Sequence, residues 1–94
     1  MNPVRDNYMH YVYIIQSQRD KHLYTGSTND LRKRFSEHNN RRVFSTKGRG
    51  PFTLIYYEAS LNKQDARARE KYLKTGMGKR YIKNRLKRFL SLTG

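Results

Sequence analysis

The chain has 94 residues, the length of one domain, and carries 21 Lys and Arg against 7 Asp and Glu, a formal net charge of +14. It contains no cysteine, which excludes a disulfide scaffold, a thiolate zinc site and a cysteine nucleophile. No apolar stretch approaches the ~20 residues that span a bilayer, and residues 1–10 lack the apolar segment of a signal peptide.

These properties predict a single domain over residues 1–94, with a core at about residues 10–90, in the cytoplasm. The 8 Tyr, 4 Phe and apolar runs argue against a disordered polycation. The charge predicts a polyanionic partner, most simply nucleic acid. A surface that is merely solubilising is the alternative.

Two short apolar segments near the N-terminus predict a β-hairpin. Residues 11–16 (YVYIIQ) are typical of a strand buried on both faces, and residues 22–26 (HLYTG) predict a second strand after a polar turn. The hairpin brings Tyr13 and Tyr24 onto neighbouring strands. This pair either packs as an ordinary cross-strand aromatic pair or directs a phenol out of an apolar sheet.

A first helix is predicted after the hairpin. Residues 28–30 (TND) supply N-cap candidates, and the helix runs to about position 39 with an apolar stripe of Leu31 and Phe35. Arg34 and His38 are four residues apart and share a face beside this stripe. Arg can bind a phosphate through its planar fork of donors, and His can move protons near neutral pH. A solvated basic helix with an incidental His is the alternative.

The remaining elements are predicted from the second half of the chain. Residues 39–51 form a basic loop, residues 52–59 a third strand and residues 62–74 a second helix that ends at the Gly76-Met77-Gly78 break. Residues 79–92 then form a third helix with apolar residues at helical spacing. The order ββαβαα predicts an α+β domain, with a small three-stranded antiparallel sheet flanked by helices.

Glu70 is the most informative acid. It lies four residues after Ala66 and three before Leu73, so it projects from the apolar stripe of the second helix. A carboxylate in that position needs a partner, because burial of an unpaired charge is costly. The partner is either a nearby Lys or Arg, or a Mg²⁺-type ion held by one carboxylate and substrate phosphate oxygens.

Several of these residues together resemble the GIY-YIG nuclease domain. YVY at residues 11–13, YTG at residues 24–26, Arg34, and Glu70 within AREKYLK match its motifs, and the order of elements fits that fold. The resemblance extends from about residue 10 to residue 89. It is closest to the small stand-alone bacterial members, which are similar to the N-terminal nuclease domain of the excision-repair endonuclease C subunit. Tyr11 replaces the Gly of the family name, a change common among the small members.

The resemblance implies hydrolysis of a DNA phosphodiester with a single metal ion. Tyr24 is then a candidate general base or positions the attacking water, and Tyr13 hydrogen-bonds in the same site and is the base in some members. Arg34 steadies the phosphate, Glu70 is the sole protein ligand of one Mg²⁺ or Mn²⁺ ion, and His38 assists the nucleophile or the phosphate. A phenol with a pKa near ~10 is a poor base, and we expect the surrounding positive charge to lower the pKa of these tyrosines.

Two further positions follow from the resemblance. Gly26 allows close packing near the site, and Asn84 in KRYIKNRL is a candidate for an Asn that the family often carries late in the domain. A solvent-facing helix residue is the alternative for Asn84.

The predicted function is a metal-dependent DNA endonuclease of repair or recombination. Binding is expected to be directed by structure or backbone, since no base-reading motif is present, and a protein partner could supply specificity. The alternative is a non-catalytic DNA- or RNA-binding module, although backbone binding alone does not require Glu70. The candidate nucleic-acid contacts are Arg41, Arg42, Lys47, Arg49, Lys79, Arg80 and Lys83.

Overall fold

Three antiparallel strands form the sheet on which the helices pack. The structure is a computed structural model that describes residues 8–93; residues 1–7, on which the signal-peptide expectation mainly depends, lie outside the described residues. β1 (His10–Ser17) is central, with β2 (Leu23–Thr28) on one side and β3 (Phe52–Ser60) on the other. Both pairings are antiparallel. The predicted α+β class and three-stranded antiparallel sheet are therefore confirmed.

Helices cover both faces of the sheet, which explains why β1 is buried on both sides. α1 (Leu31–Asn39) packs on one face, and α2 (Lys63–Leu73) and α3 (Gly76–Arg85) pack on the other. Because side chains alternate along a strand, the YVYII segment divides between two apolar clusters. The first contains Tyr13, Ile15 and Phe52, and the second contains Val12, Ile14, Ala66, Leu73 and Ile82.

The predicted helix boundaries hold for the first two helices. Asp30 is the N-cap of α1 and its side chain accepts a hydrogen bond from Lys33 N, and Asn62 caps α2 by accepting one from Asp65 N. A short 3-10 helix, Phe44–Thr46, lies within the basic loop.

The two glycines after α2 belong to a helix, which corrects the predicted break. Gly76 and Gly78 form the first turn of α3, and the Thr75 hydroxyl accepts a hydrogen bond from Gly78 N at 3.1 Å as the N-cap. A Cβ atom on Gly78 would collide with the Tyr72 carbonyl oxygen and the Leu73 backbone. Gly78 is therefore required for the close approach of α2 and α3.

The predicted third helix is divided into two, which is a second correction. α3 ends at Arg85, Leu86 leaves helical geometry with φ −109° and ψ 21°, and α4 (Lys87–Thr93) follows. Leu86 packs against the apolar cluster under α3, whereas Leu92 is 85% exposed. Leu86 is the last described residue along the chain that packs against this cluster. The apolar residues after it keep helical spacing but do not continue the buried face of α3.

An ion pair fixes α2 against β3. The Arg69 guanidinium donates to both carboxylate oxygens of Glu58 at 3.0 to 3.1 Å. Its Cζ also lies 5.4 Å from the ring centroid of Tyr72 and 4.8 Å from that of Tyr81. These contacts immobilise the helical turn that carries Glu70.

Within the part of the chain that the structure describes, no helix has both the length and the apolar character to cross a membrane.

Candidate active site

A cleft of about 530 Å³ lies at the free edge of the sheet, along β2. Although α1 and α2 cover opposite faces of the sheet, side chains from both helices reach this cleft around the edge strand. The described residues that line the cleft include every predicted catalytic candidate, from four different elements: Tyr13, Tyr24, Arg34, His38 and Glu70.

Gly26 lets Tyr13 reach the cleft from the central strand. The two residues face each other in the register of β1 and β2. A Cβ atom on Gly26 would collide with the Tyr13 hydroxyl and lie only 2.6 Å from its Cζ. The Tyr13 side chain therefore extends across the edge strand through space that any other residue at position 26 would fill.

A buried hydrogen-bonded chain begins at the Tyr13 hydroxyl. The hydroxyl lies 2.7 Å from Nε2 of His38, and Nδ1 of His38 lies 2.7 Å from Oγ1 of Thr46. All three residues are at most 5% exposed. When Nδ1 donates to Thr46, the neutral imidazole leaves Nε2 to accept the Tyr13 proton.

Burial controls protonation along this chain. It lowers the pKa of His38, and the nearby Arg34 charge lowers it further, which keeps the imidazole neutral. Burial also raises the pKa of Tyr13, and this outweighs the opposing influence of Arg34. Arg34 acts in the expected direction on the pKa of this phenol, but the expected net lowering is wrong, because burial disfavours the phenolate more strongly.

Glu70 enters the cleft from the other face of the sheet, and both of its oxygens have protein partners. Oε1 accepts a hydrogen bond from Ser27 Oγ at 2.6 Å, and Oε2 accepts one from Lys74 Nζ at 2.8 Å. Burial opposes ionisation, but the hydrogen bonds from Lys74 and Ser27 prevail and hold the pKa of Glu70 below its usual value. The predicted ion pair with a nearby base is thus present.

Arg34 and Tyr24 occupy the α1 side of the cleft. Arg34 Nη1 donates to Glu37 Oε1 at 3.1 Å, which orients a side chain that is 39% exposed. The Tyr24 ring packs edge-on against Phe52, with centroids 5.7 Å apart. In the register of the hairpin Tyr24 lies opposite Ile15 and Tyr13 lies opposite Gly26, so the two tyrosines are on neighbouring strands but are not directly opposite each other.

The donor set at Glu70 suits a single divalent ion. Of the described residues that line the cleft, Glu70 is the one carboxylate, and residues 8–93 contain no group of three or more His, Asp or Glu arranged to hold a metal. Mg²⁺ is commonly held by one or two carboxylates together with water and substrate phosphates. The Lys74 ammonium group shows that a cation can approach Glu70 from within the cleft.

The predicted nucleic-acid contacts divide into two groups. Lys79 lines the cleft, and Lys83 follows it along α3 beside an adjoining groove. The remaining candidates are exposed and do not line the cleft: Arg41, Arg42, Lys47, Arg49 and Arg80. Asn84 is also exposed and outside the cleft.

Three cleft residues that hydrogen-bond to the candidate catalytic side chains were not singled out from the sequence: Lys74, Ser27 and Thr46. Lys74 was detectable, since it lies four residues after Glu70 on one helix face. Ser27 and Thr46 were not, because their hydrogen bonds to Glu70 and His38 join residues distant in the chain.

Comparison with known proteins shows the family to which the chain belongs. Residues 9–87 match the sequence profile of the GIY-YIG catalytic domain. A UPF0213 protein of Clostridium perfringens is 49% identical over 67 residues, which cover 70% of this chain and 71% of that protein. A UPF0213 protein of Oceanobacillus iheyensis is 42% identical over 66 residues, covering 69% and 76%. The solution NMR structure of a UPF0213 protein from Bacillus halodurans superposes with a TM-score of 0.50 at 34% identity, covering 79% of this chain and 81% of that one.

Proposed function

This chain belongs to the GIY-YIG nuclease family and to its small UPF0213 members, and we propose that it is a metal-dependent endonuclease that hydrolyses DNA phosphodiester bonds. The observation that carries the proposal is a single cleft faced by Glu70, Arg34 and the hydrogen-bonded Tyr13–His38 pair. Together these groups offer a metal ligand, a phosphate ligand and a route for a proton.

Arg34 binds the scissile phosphate in this mechanism. Its guanidinium group presents a planar set of donors that matches phosphate oxygens, and its ion pair with Glu37 orients it. Negative charge that develops on the phosphate in the transition state is stabilised by this fixed positive group.

The Tyr13–His38 pair removes the proton of the attacking water. A protonated phenol can accept this proton only if it releases its own, and His38 Nε2 lies 2.7 Å from the Tyr13 hydroxyl to receive it. The hydrogen bond to Thr46 holds the imidazole in place. Tyr24, on the neighbouring strand, positions the water or the phosphate.

Glu70 would hold the Mg²⁺ or Mn²⁺ ion, with Ser27 fixing the orientation of its carboxylate. When bound, the ion supplies Lewis-acid activation and neutralises charge on the phosphate. Lys74 would then release Glu70 and be free to contact a phosphate oxygen of the substrate.

The proposal extends to the setting of the reaction. Exposed Lys and Arg side chains on the loop after α1 and on α3 provide contacts to a phosphate backbone without sequence preference. We therefore assign DNA cleavage directed by structure or backbone, in repair or recombination in the cytoplasm, with a protein partner as a source of specificity.

The test is a nuclease assay on supercoiled, branched and single-stranded DNA with Mg²⁺ or Mn²⁺. The wild type is expected to cut at least one substrate and Glu70→Ala to cut none. Asp65→Ala removes an exposed acid from the same helix and is the matched control, which should retain cleavage. A wild type that cuts no substrate, or a Glu70→Ala variant that cuts equally well, would refute the proposal.

A non-catalytic nucleic-acid-binding module is the second candidate, and the Glu70–Lys74 ion pair favours it. Because this pair neutralises the acid, the charges of Arg34 and Lys79 give the cleft an excess of positive charge even when no metal is bound. The module would bind DNA equally well with and without divalent ions and never cut it.

A further inference from the structure

We infer that the groove between β2 and the first half of α3 binds one unpaired nucleotide of the substrate strand, next to the scissile phosphate. The inference rests on the proposed nucleic-acid substrate and adds a binding position that lies outside the catalytic cleft.

The groove lies next to the catalytic cleft, and the two share lining residues. It has a volume of about 420 Å³, and both openings share the same stretch of the edge strand, including Leu23 and Thr25. Lys79 of α3 also lines both. We infer that a strand whose phosphate lies at Arg34 can follow the edge strand from the cleft to the groove, because Leu23, Thr25 and Lys79 line both.

The floor of the groove is apolar and its rim is positive. Leu23 from the edge strand and Ile82 from α3 contribute to the floor, and Lys21, Lys79 and Lys83 contribute to the rim. The described residues that line it include no acid. Asp20 lies close by, within 3.5 Å of His22 and 3.7 Å of Arg49.

This combination fits a nucleotide better than a bare phosphate or a duplex. A volume of 420 Å³ is within the range of roughly 300 to 1,000 Å³ that holds small ligands. Lys79 and Lys83 are one helical turn apart, roughly 5–6 Å at Cβ, and so can contact the same strand. A duplex keeps its bases stacked and paired, whereas an unpaired nucleotide can place its base on an apolar floor. Such contact tolerates any base, consistent with the absence of a base-reading motif.

Binding in EDTA tests the inference separately from catalysis. The probe is a short fluorescein-labelled single-stranded oligonucleotide, and anisotropy gives its affinity across a salt titration. Lys83→Gln should reduce the slope of log affinity against log salt by about one, as expected for one lost phosphate contact. Lys87→Gln removes the same charge from an exposed position outside the groove and should leave the slope nearly unchanged. Equal slopes for the two variants would overturn the inference.

An abasic probe tests the role of the base. Replacing the bases of the oligonucleotide by abasic sites should weaken binding to the wild type by roughly fivefold or more if a base contacts the floor. Amide signals of Leu23, Thr25 and Ile82 should shift in NMR spectra with the base-bearing probe and much less with the abasic one. Equal affinities and shifts for both probes would overturn the inference, even in a protein shown to cut DNA; a protein that never cuts DNA can still satisfy every expected result.

Discussion

Lys74 Nζ lies 2.8 Å from Oε2 of Glu70, one helical turn earlier, so the one carboxylate among the described residues of the cleft is neutralised by the protein's own cation. Ser27 holds the other oxygen at 2.6 Å. A divalent ion that binds Glu70 must therefore compete with Lys74 for Oε2. In the proposed mechanism Lys74 would therefore weaken the binding of the ion without being one of its ligands.

Replacing Lys74 should strengthen metal binding. In Lys74→Met the competing ammonium group is lost, and an ion pair as exposed as this one is worth roughly 0.2–1 kcal/mol, so Mn²⁺ affinity should rise by roughly 1.4-fold to fivefold. Isothermal titration calorimetry with Mn²⁺ measures this change. Lys71→Met, an exposed lysine on the same helix, controls for net charge. Equal Mn²⁺ affinities in the two variants would show that Lys74 does not compete.

His38 should make the folded protein less stable in acid. Its pKa is lowered in the folded state by burial and by Arg34, while the unfolded chain has the ordinary value near 6.5. Below about pH 6.5 the unfolded state therefore binds a proton at His38 more readily than the folded state does. As a result the free energy of unfolding falls as the pH falls, by at most about 1.4 kcal/mol per pH unit. The contribution of neutral His38 to the free energy of unfolding is fully present above about pH 6.5. It is lost as the pH falls from about 6.5 to the lower pKa that His38 has in the folded state.

Urea unfolding of the wild type and His38→Gln across this pH range measures the effect. The other histidines are common to both proteins, so the difference between the two curves isolates His38. The difference in the free energy of unfolding between the wild type and His38→Gln should shrink on acidification, because only the wild type loses stability through His38. Parallel curves would mean that the folded and unfolded proteins protonate His38 equally.

Gly26→Ala should disturb the site and the core together. The added methyl group would collide with the Tyr13 hydroxyl, and Tyr13 is only 3% exposed, so its ring has little room to move. Overpacking of this kind typically costs about 1–3 kcal/mol in the free energy of unfolding. The displaced hydroxyl should also lose its hydrogen bond to His38, which lowers the cleavage rate.

Gly76→Ala is the control for that substitution, because beyond its chain neighbours and its own helix backbone no heavy atom of the described residues lies within 4 Å of an added Cβ. Denaturant unfolding should show a clearly lower free energy of unfolding for Gly26→Ala and little change in it for Gly76→Ala. If Gly26→Ala is as stable and as active as the wild type, the fit of Tyr13 against Gly26 is not required.

Local pattern was sufficient to predict much of this fold. The apolar run in β1, the caps Asp30 and Asn62 and the spacing within each helix determine their elements through near neighbours in the chain. The division at Leu86 was not predictable in this way. It depends on where the apolar surface beneath α3 ends, which is a tertiary property.

The site shows the same distinction. Arg34 and His38 share a helix face that spacing alone predicts, whereas the protonation of Tyr13 depends on how deeply the folded chain buries it. Charges can be counted from the sequence, but their effect on a pKa cannot be compared with that of burial before the fold is known. Local pattern singled out Tyr24 and Glu70, family resemblance supplied their expected catalytic roles, and the three-dimensional arrangement added their neighbours.

The central claim, that Glu70 serves catalysis rather than binding alone, is tested most directly by Glu70→Gln. The substitution keeps the shape of the side chain and removes only its charge. We predict that the variant binds DNA in EDTA at least as tightly as the wild type, because an acid near phosphate is lost, and that it cuts no DNA with Mn²⁺. Cleavage at the wild-type rate by Glu70→Gln would contradict the account.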